Sequence, residues 1–588
     1  MRPLKLSLLI ISTIGLFACG GDSKTKDDDA FFVPAVEGNV TDDAFGRERL
    51  LQIYLKMPTA DFAKLRTEGR PLNVSMNACS STDFEYSDFK ATASIDGDLL
   101  ENVAIRKKGF LGSLSRLRPS IKLNFDTHQE GRTFKTLKRM TLNNDRQDPS
   151  HTHQCMAYDL YRAAGLIAPR CNLAHVVINN EDMGIYSHIE SIKKPFLKRY
   201  FNDKSGNLYE AQVADIGTNL NDRFELKTNK TENDRSDLDR FSEVLKLEDD
   251  EFVTQLAQHI DISEFITFWA VETLIGHWDS ATGNTNNYYM YHNPTDDLFH
   301  FIPWGTDSAF TTDNIFKPNS GPLFKNLSLA KRLYDIEQTR NQYFSTINTL
   351  LTEHWNEDAL LEKLATIQEL TASPEESYQS MQDFISGNET KNQPSQRDLL
   401  AQAMAGDINH TSYLLTDQAI DCTHINSTTQ LTAEFESDID GDKGSFTFTD
   451  SQGLVRSASM SIVSQYTTTD SLEYNEDNST LPSVIALTLI GAATPPLYPD
   501  SYVLQVFIEK PDYQSGNIQF QGIASNLMLF KVIDKDSTPP KLELISVGHS
   551  GTINFTGTGL GSNDSPIEGS ITAEMGRVHA PNYQITEY

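Results

Sequence analysis

From Leu50 to about Cys422, strand-like alternation takes turns with helical periodicity. Leu51-Gln52-Ile53-Tyr54-Leu55 alternates apolar and polar residues, and so does Ala91-Thr92-Ala93-Ser94-Ile95 ahead of the turn Asp96-Gly97. A period of two marks a half-buried strand. Val103 to Arg106 and Ile121 to Phe125 read as further strands. Asp148-Pro149-Ser150 predicts a helix start, and Gly165 stops that helix after Ala164. Val176-Val177-Ile178, the turn Asn179-Asn180, and Gly184-Ile185-Tyr186 predict a hairpin. Asp261 to His277 is apolar on nearly all sides, which predicts a buried helix. Leu333, Ile336, Phe344, Ile347 and Leu351 mark one face of a long helix, and helical character continues to about Ala405. The expected class is α+β, with helices concentrated in the second half of this region.

Past Cys422 the helical period disappears, and Ser, Thr, Asp and Gly dominate. Thr432 to Phe435, Ser445 to Phe448, Ala458 to Ile462, Val484 to Leu489 and Tyr502 to Val506 read as short strands between turn signals. That pattern predicts an all-β sandwich-like domain. The expected units are 46–424, then a sandwich over 425–538, then a β-rich or partly disordered tail over 539–588.

The N-terminus bears on compartment. Arg2 and Lys5 precede an apolar run, Leu6 to Phe17, too short to span a bilayer as a mature helix but ordered like a secretory signal. Leu16-Phe17-Ala18-Cys19 resembles the bacterial lipobox and ends the expected lipoprotein signal segment 1–19, so Cys19 is the expected lipidation site and first mature residue. The polar stretch 20–45 reads as a flexible tether. The expectation is a lipid-anchored cell-envelope protein, at the outer membrane of a Gram-negative bacterium. In that oxidising setting Cys155 and Cys171, which flank one predicted helix, are either bridged or free buried thiols.

Charge narrows the partners. The 588 residues carry 50 Lys+Arg against 81 Asp+Glu, a formal charge of −31. An unaided nucleic-acid binder needs a cationic surface, so no nucleic-acid partner is expected. Hard cations, basic proteins or a nucleotide held through a metal fit better.

Three polar stretches could carry chemistry. His277 to Tyr291 leaves the buried helix, makes a Gly/Asn-rich loop holding Asp279, Asn286 and Asn287, and enters a strand. Phe299 to Trp304 ends another strand just before Asp307. Acidic loop ends of neighbouring strands can converge on magnesium, which takes one or two hard oxygen ligands plus phosphates and water. The same residues also serve ordinary tight turns. A basic stretch, Arg106-Lys107-Lys108-Gly109-Phe110-Leu111-Gly112-Ser113, follows a strand, with Lys122 shortly after. It could contact phosphates or be a solvated loop, and it lacks the spacing of a Walker loop. Glu190 could pair with one of these lysines, as a lysine–glutamate pair orients phosphates in protein kinases. His151-x-His153-x-Cys155 reads as helix-start polarity rather than a metal cluster, and Asp438-x-Asp440-Gly441-Asp442 as a hairpin turn rather than a calcium loop.

Val103 to Gly109 with Ser113 and Ser120-Ile121-Lys122, Leu142 to Ser150, Gly184-Ile185-Tyr186 with Glu190, Asp279 with Asn286 to Tyr291, and Pro303 to Asp307 resemble, in order, the blocks of the CotH kinase family. The similarity spans about Leu50 to Ala405. It implies an atypical protein-kinase-like fold and an enzyme using ATP and magnesium, or manganese, to phosphorylate Ser/Thr of envelope proteins. By the same resemblance Lys122, Lys108 and Arg106 would contact the nucleotide, with Glu190 as partner of Lys122. Asp279 would orient the acceptor hydroxyl or accept its proton, while Asp307 with Asn286 or Asn287 would hold magnesium. The family pattern Pro-Trp-Asp-x-Asp departs here, because Gly305 stands at the first aspartate. That departure sets the alternative: a catalytically inactive kinase-like surface lipoprotein acting as a binding protein.

Overall fold

The structure is a computed structural model that describes residues 43–69, 85–109, 115, 117–218, 221–311, 321–406, 428–438, 441–450, 453–467, 484–493, 500–509, 515–519, 526–534, 541–558 and 566–577. Cys19, residues 20–42 of the tether, the Phe110 to Ser113 loop, Cys79 and Cys422 lie outside the described residues, and the tether's expected last residues Ala44 and Phe45 are instead buried in the fold.

The first unit is a seven-stranded barrel. It comprises β1 (Leu51–Lys56), β2 (Phe89–Ile95), β3 (Asp98–Lys107), β4 (Ile121–Asn124), β5 (Arg139–Asn143), β6 (Cys171–Ile178) and β7 (Glu181–Ile189), with α1 (Thr59–Thr67) and α2 (His153–Ala163) in the connections. The ring runs β1-β2-β3-β4-β5-β7-β6 and closes by parallel pairing of β6 with β1. Closure removes both sheet edges. Ile105 and Leu123 oppose each other across β3 and β4 and are fully buried inside. By alternation the neighbouring pair, Arg106 and Lys122, faces outward. The β6–β7 hairpin turns on Asn179 and Asn180, both at positive φ, as a tight two-residue turn requires.

A second layer follows. It contains α3 (Lys194–Phe201), β8 (Leu208–Ala211), β9 (Glu225–Leu226), α4 (Ser236–Val244), α5 (Asp249–Leu256), α6 (Ile262–Leu274), the one-turn α7 (Ala281–Asn284), β10 (Tyr288–Asn293) and β11 (Leu298–Pro303). Its sheet has the order β11-β10-β8-β9. Five helices complete it: α8 (Ser328–Asp335), α9 (Glu337–Glu353), α10 (Glu357–Thr371), α11 (Glu376–Ser386) and α12 (Gln396–Ala405). Helix α6 is the expected buried helix. Asp261 caps it by accepting from the Ser263 and Glu264 amides, and Trp269, wholly buried, stacks on Tyr343 at 3.7 Å. No helix among the described residues is long and apolar enough to cross a membrane.

The C-terminal strands correct the expected sandwich. β12 (Thr428–Asp438), β13 (Gly441–Thr449), β14 (Val455–Thr467), β15 (Val484–Ala493), β16 (Asp500–Glu509), β17 (Gly516–Gln519), β18 (Asn526–Asp534), β19 (Lys541–Thr558) and β20 (Ile567–Arg577) form one antiparallel sheet rather than two stacked ones. β20 pairs with both β19 and β12, so the ladder closes into a ring. Strand alternation reports one buried face and is silent on whether a sheet stacks or closes. The expected β-rich stretch over 539–588 supplies β19 and β20, and these strands close the ring. Its core, with Leu431, Phe435, Phe446, Leu487, Leu504 and Phe555, shares no residue with the cores of the first 405 residues.

Candidate functional site

The outward strip of the barrel faces the four-stranded sheet and the loop after α6. Two kinds of charge meet there. From the barrel come Lys108 and Lys122, and Lys193 joins them just beyond β7. The sheet supplies Glu210 and Lys227. Glu210 on β8 lies in register with Tyr289 on β10 and Glu225 on β9, so the three side chains share a face. Tyr289 donates to Glu210 at 2.6 Å, and Lys227 bridges Glu210 at 2.6 Å and Glu225 at 2.9 Å.

Burial of this cluster disfavours its charges. Lys122 is pushed down to about 7 by desolvation, with Lys108, Lys193 and Lys227 adding repulsion and Glu210 opposing. Lys193 is pushed down to about 8 by burial and then by Lys227. Lys108 is lowered by burial, against the pull of Asp307, Asp145 and Glu210. Burial would raise the Glu210 carboxyl, but Lys227 and Lys122 outweigh it and hold the group well below the usual carboxylate range. The carboxylate that acts on Lys122 is Glu210, through its charge, while its direct contacts are Lys227 and Tyr289. Glu190 is a correction: its carboxylate takes a two-pronged contact from Arg170, at 3.0 Å on each oxygen, and a further one from Arg199. Glu190, one residue past β7, is taken by an arginine just before β6 and another on α3, which sequence order did not reveal.

Asp307 and Asp145 act on Lys108, and Asp279 acts on Asp307. Asp279, in the loop leaving α6, accepts from three side-chain amides: Asn284 at 2.9 Å and Asn286 at 3.1 Å on Oδ1, and Asn287 at 2.7 Å on Oδ2. A carboxylate has about four lone-pair sites, so one on Oδ2 stays open. Burial raises the Asp279 carboxyl despite these bonds. Asp307 is pushed up to about 6 by burial, with Lys108 opposing and the Asp279 and Asp145 charges adding to the rise. Asp145, on a left-handed turn at φ 50°, accepts from His151 and Ser187 at 3.0 Å and from Gln154 at 3.1 Å.

The N-terminus of α2 steadies the Asp307 turn. Asp148 anchors that helix by accepting from the Ser150 amide at 3.0 Å and the His153 amide at 2.7 Å. His153 Nδ1 lies 2.9 Å from the Asp307 carbonyl oxygen. With Cys155 bonded to Cys171, the His-x-His-x-Cys stretch is structural, as the helix-start reading expects. Asp442 likewise serves its hairpin, accepting from Ser437 and from the Val463 amide.

Gly305 occupies the left-handed region at φ 52°, and an added Cβ would lie 2.7 Å from Asn287 Oδ1. The first aspartate of the family pattern therefore does not fit this backbone while Asn287 holds Asp279. Asn286 is committed at both ends, since its oxygen accepts from the Val213 amide at 3.2 Å. It buttresses Asp279 and leaves Asn287 as the better oxygen donor.

Among the described residues no three His, Cys, Asp or Glu side chains form a metal cage. The donor set fits magnesium in its other mode, one or two carboxylates with phosphates and water completing the shell. The structure thus brings together Asp279, Asp307, Asn286, Asn287, Lys108 and Lys122, and places Arg106 on the same strip as Lys122. Sequence reading missed Glu210, Lys193, Lys227 and Asp145. The available signal for Glu210 was a lone carboxylate inside the short aromatic strand Leu208-Tyr209-Glu210-Ala211.

The CotH kinase protein family model matches residues 105–400. Inner spore coat protein H of Bacillus subtilis (strain 168) is 24% identical over 193 residues, covering 31% of this chain and 52% of that protein. The chain therefore spans about half the length of this curated relative. All the cleft residues named above fall inside the family match, which covers half of the chain, and the chain belongs to the CotH kinase protein family.

Proposed function

We propose that the cleft binds a metal–nucleotide and transfers its terminal phosphoryl group to a Ser or Thr hydroxyl of a protein. The carrying observation is the meeting of Lys108, Lys122 and Lys193 with Asp279 and Asp307 in one partly buried cleft. Crowded, half-desolvated ammonium groups gain most from an anion with several oxygens, and the acids opposite gain from a divalent cation. Phosphoryl transfer asks mainly for positioning and charge neutralisation. In this reading Lys122, set by Glu210, and Lys108 hold the phosphates. Asp307 and the Asn287 oxygen would hold magnesium or manganese, which bridges phosphate oxygens and neutralises developing charge. The open lone pair of Asp279 Oδ2 takes the acceptor hydroxyl, and its raised basicity suits it to accept that proton.

Transfer of labelled phosphate from ATP to protein tests the reading. Asp279→Ala should retain metal-dependent nucleotide binding and lose turnover. Equal turnover in the variant and wild type would exclude the assigned role.

A second reading rests on Gly305. With one aspartate of the usual pair absent, the cleft would hold nucleotide without turnover and the protein would act by binding alone. We further propose, from Leu16 to Cys19, that the chain is lipid-anchored in the cell envelope. Cys19→Ala should then move it from the membrane to the soluble fraction.

A further inference from the structure

Among the described residues outside the cleft, a concentration of positive charge sits where the described chain enters the fold. Arg47 and Arg162 both hold Asp159, Arg47 at 2.5 Å, and Lys363 from α10 reaches the same carboxylate. Arg170 and Arg199 share Glu190. The two groups are one patch. Arg162 donates to the Pro169 carbonyl and Arg47 to the Cys171 carbonyl at 2.8 Å, so they flank Arg170 in the chain. The groups also feel one another across the gap: Arg162, lowered by burial and then by Arg47, is raised by the Glu190 carboxylate of the other group. Five cations thus surround two carboxylates, and a third acid, Asp43, stands 3.9 Å from Arg170. The side chains of Arg47, Arg199 and Lys363 are 36%, 38% and 34% exposed.

A positive surplus of this density is unusual on a chain of charge −31. The net negative charge works against an anionic partner in general, so a local positive surplus favours this patch as its landing place. Guanidinium forks match carboxylates and phosphates in a bidentate way. The patch also adjoins the cleft. Glu190 lies in it, Ser191 bonds Thr141 beside Lys122 at 2.8 Å, and Lys193 is already among the cleft lysines.

We propose that this patch docks an acidic segment of the acceptor protein, holding it beside the cleft. The proposal rests on the phosphoryl-transfer reading for the word acceptor, while the docking is measurable without turnover. A protein segment is favoured over a lipid surface because the patch is small and the strong net negative charge opposes approach to an anionic bilayer.

The test is fluorescence anisotropy of a glutamate-rich peptide with the full chain at low ionic strength. Wild type should bind, and binding should weaken as salt shortens the screening length. Arg199→Gln with Lys363→Gln should weaken binding about tenfold. Asp159→Asn should strengthen it several-fold, by about the worth of one competing ion pair, a gain that misfolding would not produce. Lys122→Met should lose nucleotide binding and keep peptide binding; nucleotide binding unchanged in that variant would sink the transfer reading and spare the patch. Equal affinity in wild type and the double variant, or no gain in Asp159→Asn, would overturn the proposal. So would capture of phosphatidylglycerol vesicles without peptide binding.

Discussion

The barrel of β1 to β7 and the ring of β12 to β20 both bury an apolar interior and close their edges, yet their outer faces differ. Across the first runs the register line Arg106–Lys122–Thr141. Across the second runs Ser457–Thr447–Thr432–Thr572–Thr552–Gln519, six strands without a formal charge. Those six side chains are exposed or half-buried. The first line is covered by a second layer, which brings Glu210 and the Asp307 turn onto its lysines. Closure organises a core in both cases. Chemistry arises where desolvation by a second layer perturbs outward charges.

The largest break in the comparison should come from the core of the covered half. Trp269→Ala removes a wholly buried ring and the contact of its indole N–H with the Phe324 carbonyl. It should cost about 3–5 kcal/mol and lower one melting transition by calorimetry, leaving the transition of the C-terminal ring in place. A single shared transition, shifted as a whole, would show that the two units unfold together.

Next in size is the disulfide, which closes a loop of sequence separation 16 beside the cleft. Cys155→Ser with Cys171→Ser should cost about 3 kcal/mol, again in the first transition alone. Gly305→Asp should cost about 1–3 kcal/mol, because it forces a Cβ onto Asn287 in left-handed backbone. It should also loosen the grip on Asp279. Restored stability together with raised metal affinity would mean that Asn287 moves aside freely.

A smaller effect is protonic. Free Lys122 is held to about 7, and an anion beside it restores its ordinary basicity. Nucleotide binding therefore takes up a proton once the pH exceeds about 7. Affinity should fall as pH rises through that value, by up to about tenfold per pH unit. The mirror slope, or a flat profile up to strongly alkaline pH, would remove Lys122 from the anion site.

Much of this was legible from residue pattern. The period of two placed β1 and β2, short strand-like runs placed β3 and β4, Asn179-Asn180 placed the β6–β7 hairpin, and the all-round apolarity placed α6, while β5 went unread. Block order placed Asp279 and Asp307 in one cleft. The Glu190 assignment failed because a sequence gives the order of carboxylates but not which cation each one meets. Arg170, twenty positions earlier in the chain, captured Glu190 instead. Glu210 was hidden for a related reason, since its partners Lys227 and Tyr289 come from other strands. The ring was mistaken for a sandwich because closure is decided by one pairing, β20 with β12, that alternation does not encode.

The central claim is that outward barrel lysines and the loop acids form one metal–nucleotide site. Calorimetric titration of the full chain with ATP, with and without magnesium or manganese, tests it most directly. Binding should require the metal, be abolished by Lys122→Met and by Asp307→Ala, and persist in Asp279→Ala. Absence of binding with either metal, or equal affinity in wild type and Lys122→Met, would contradict it.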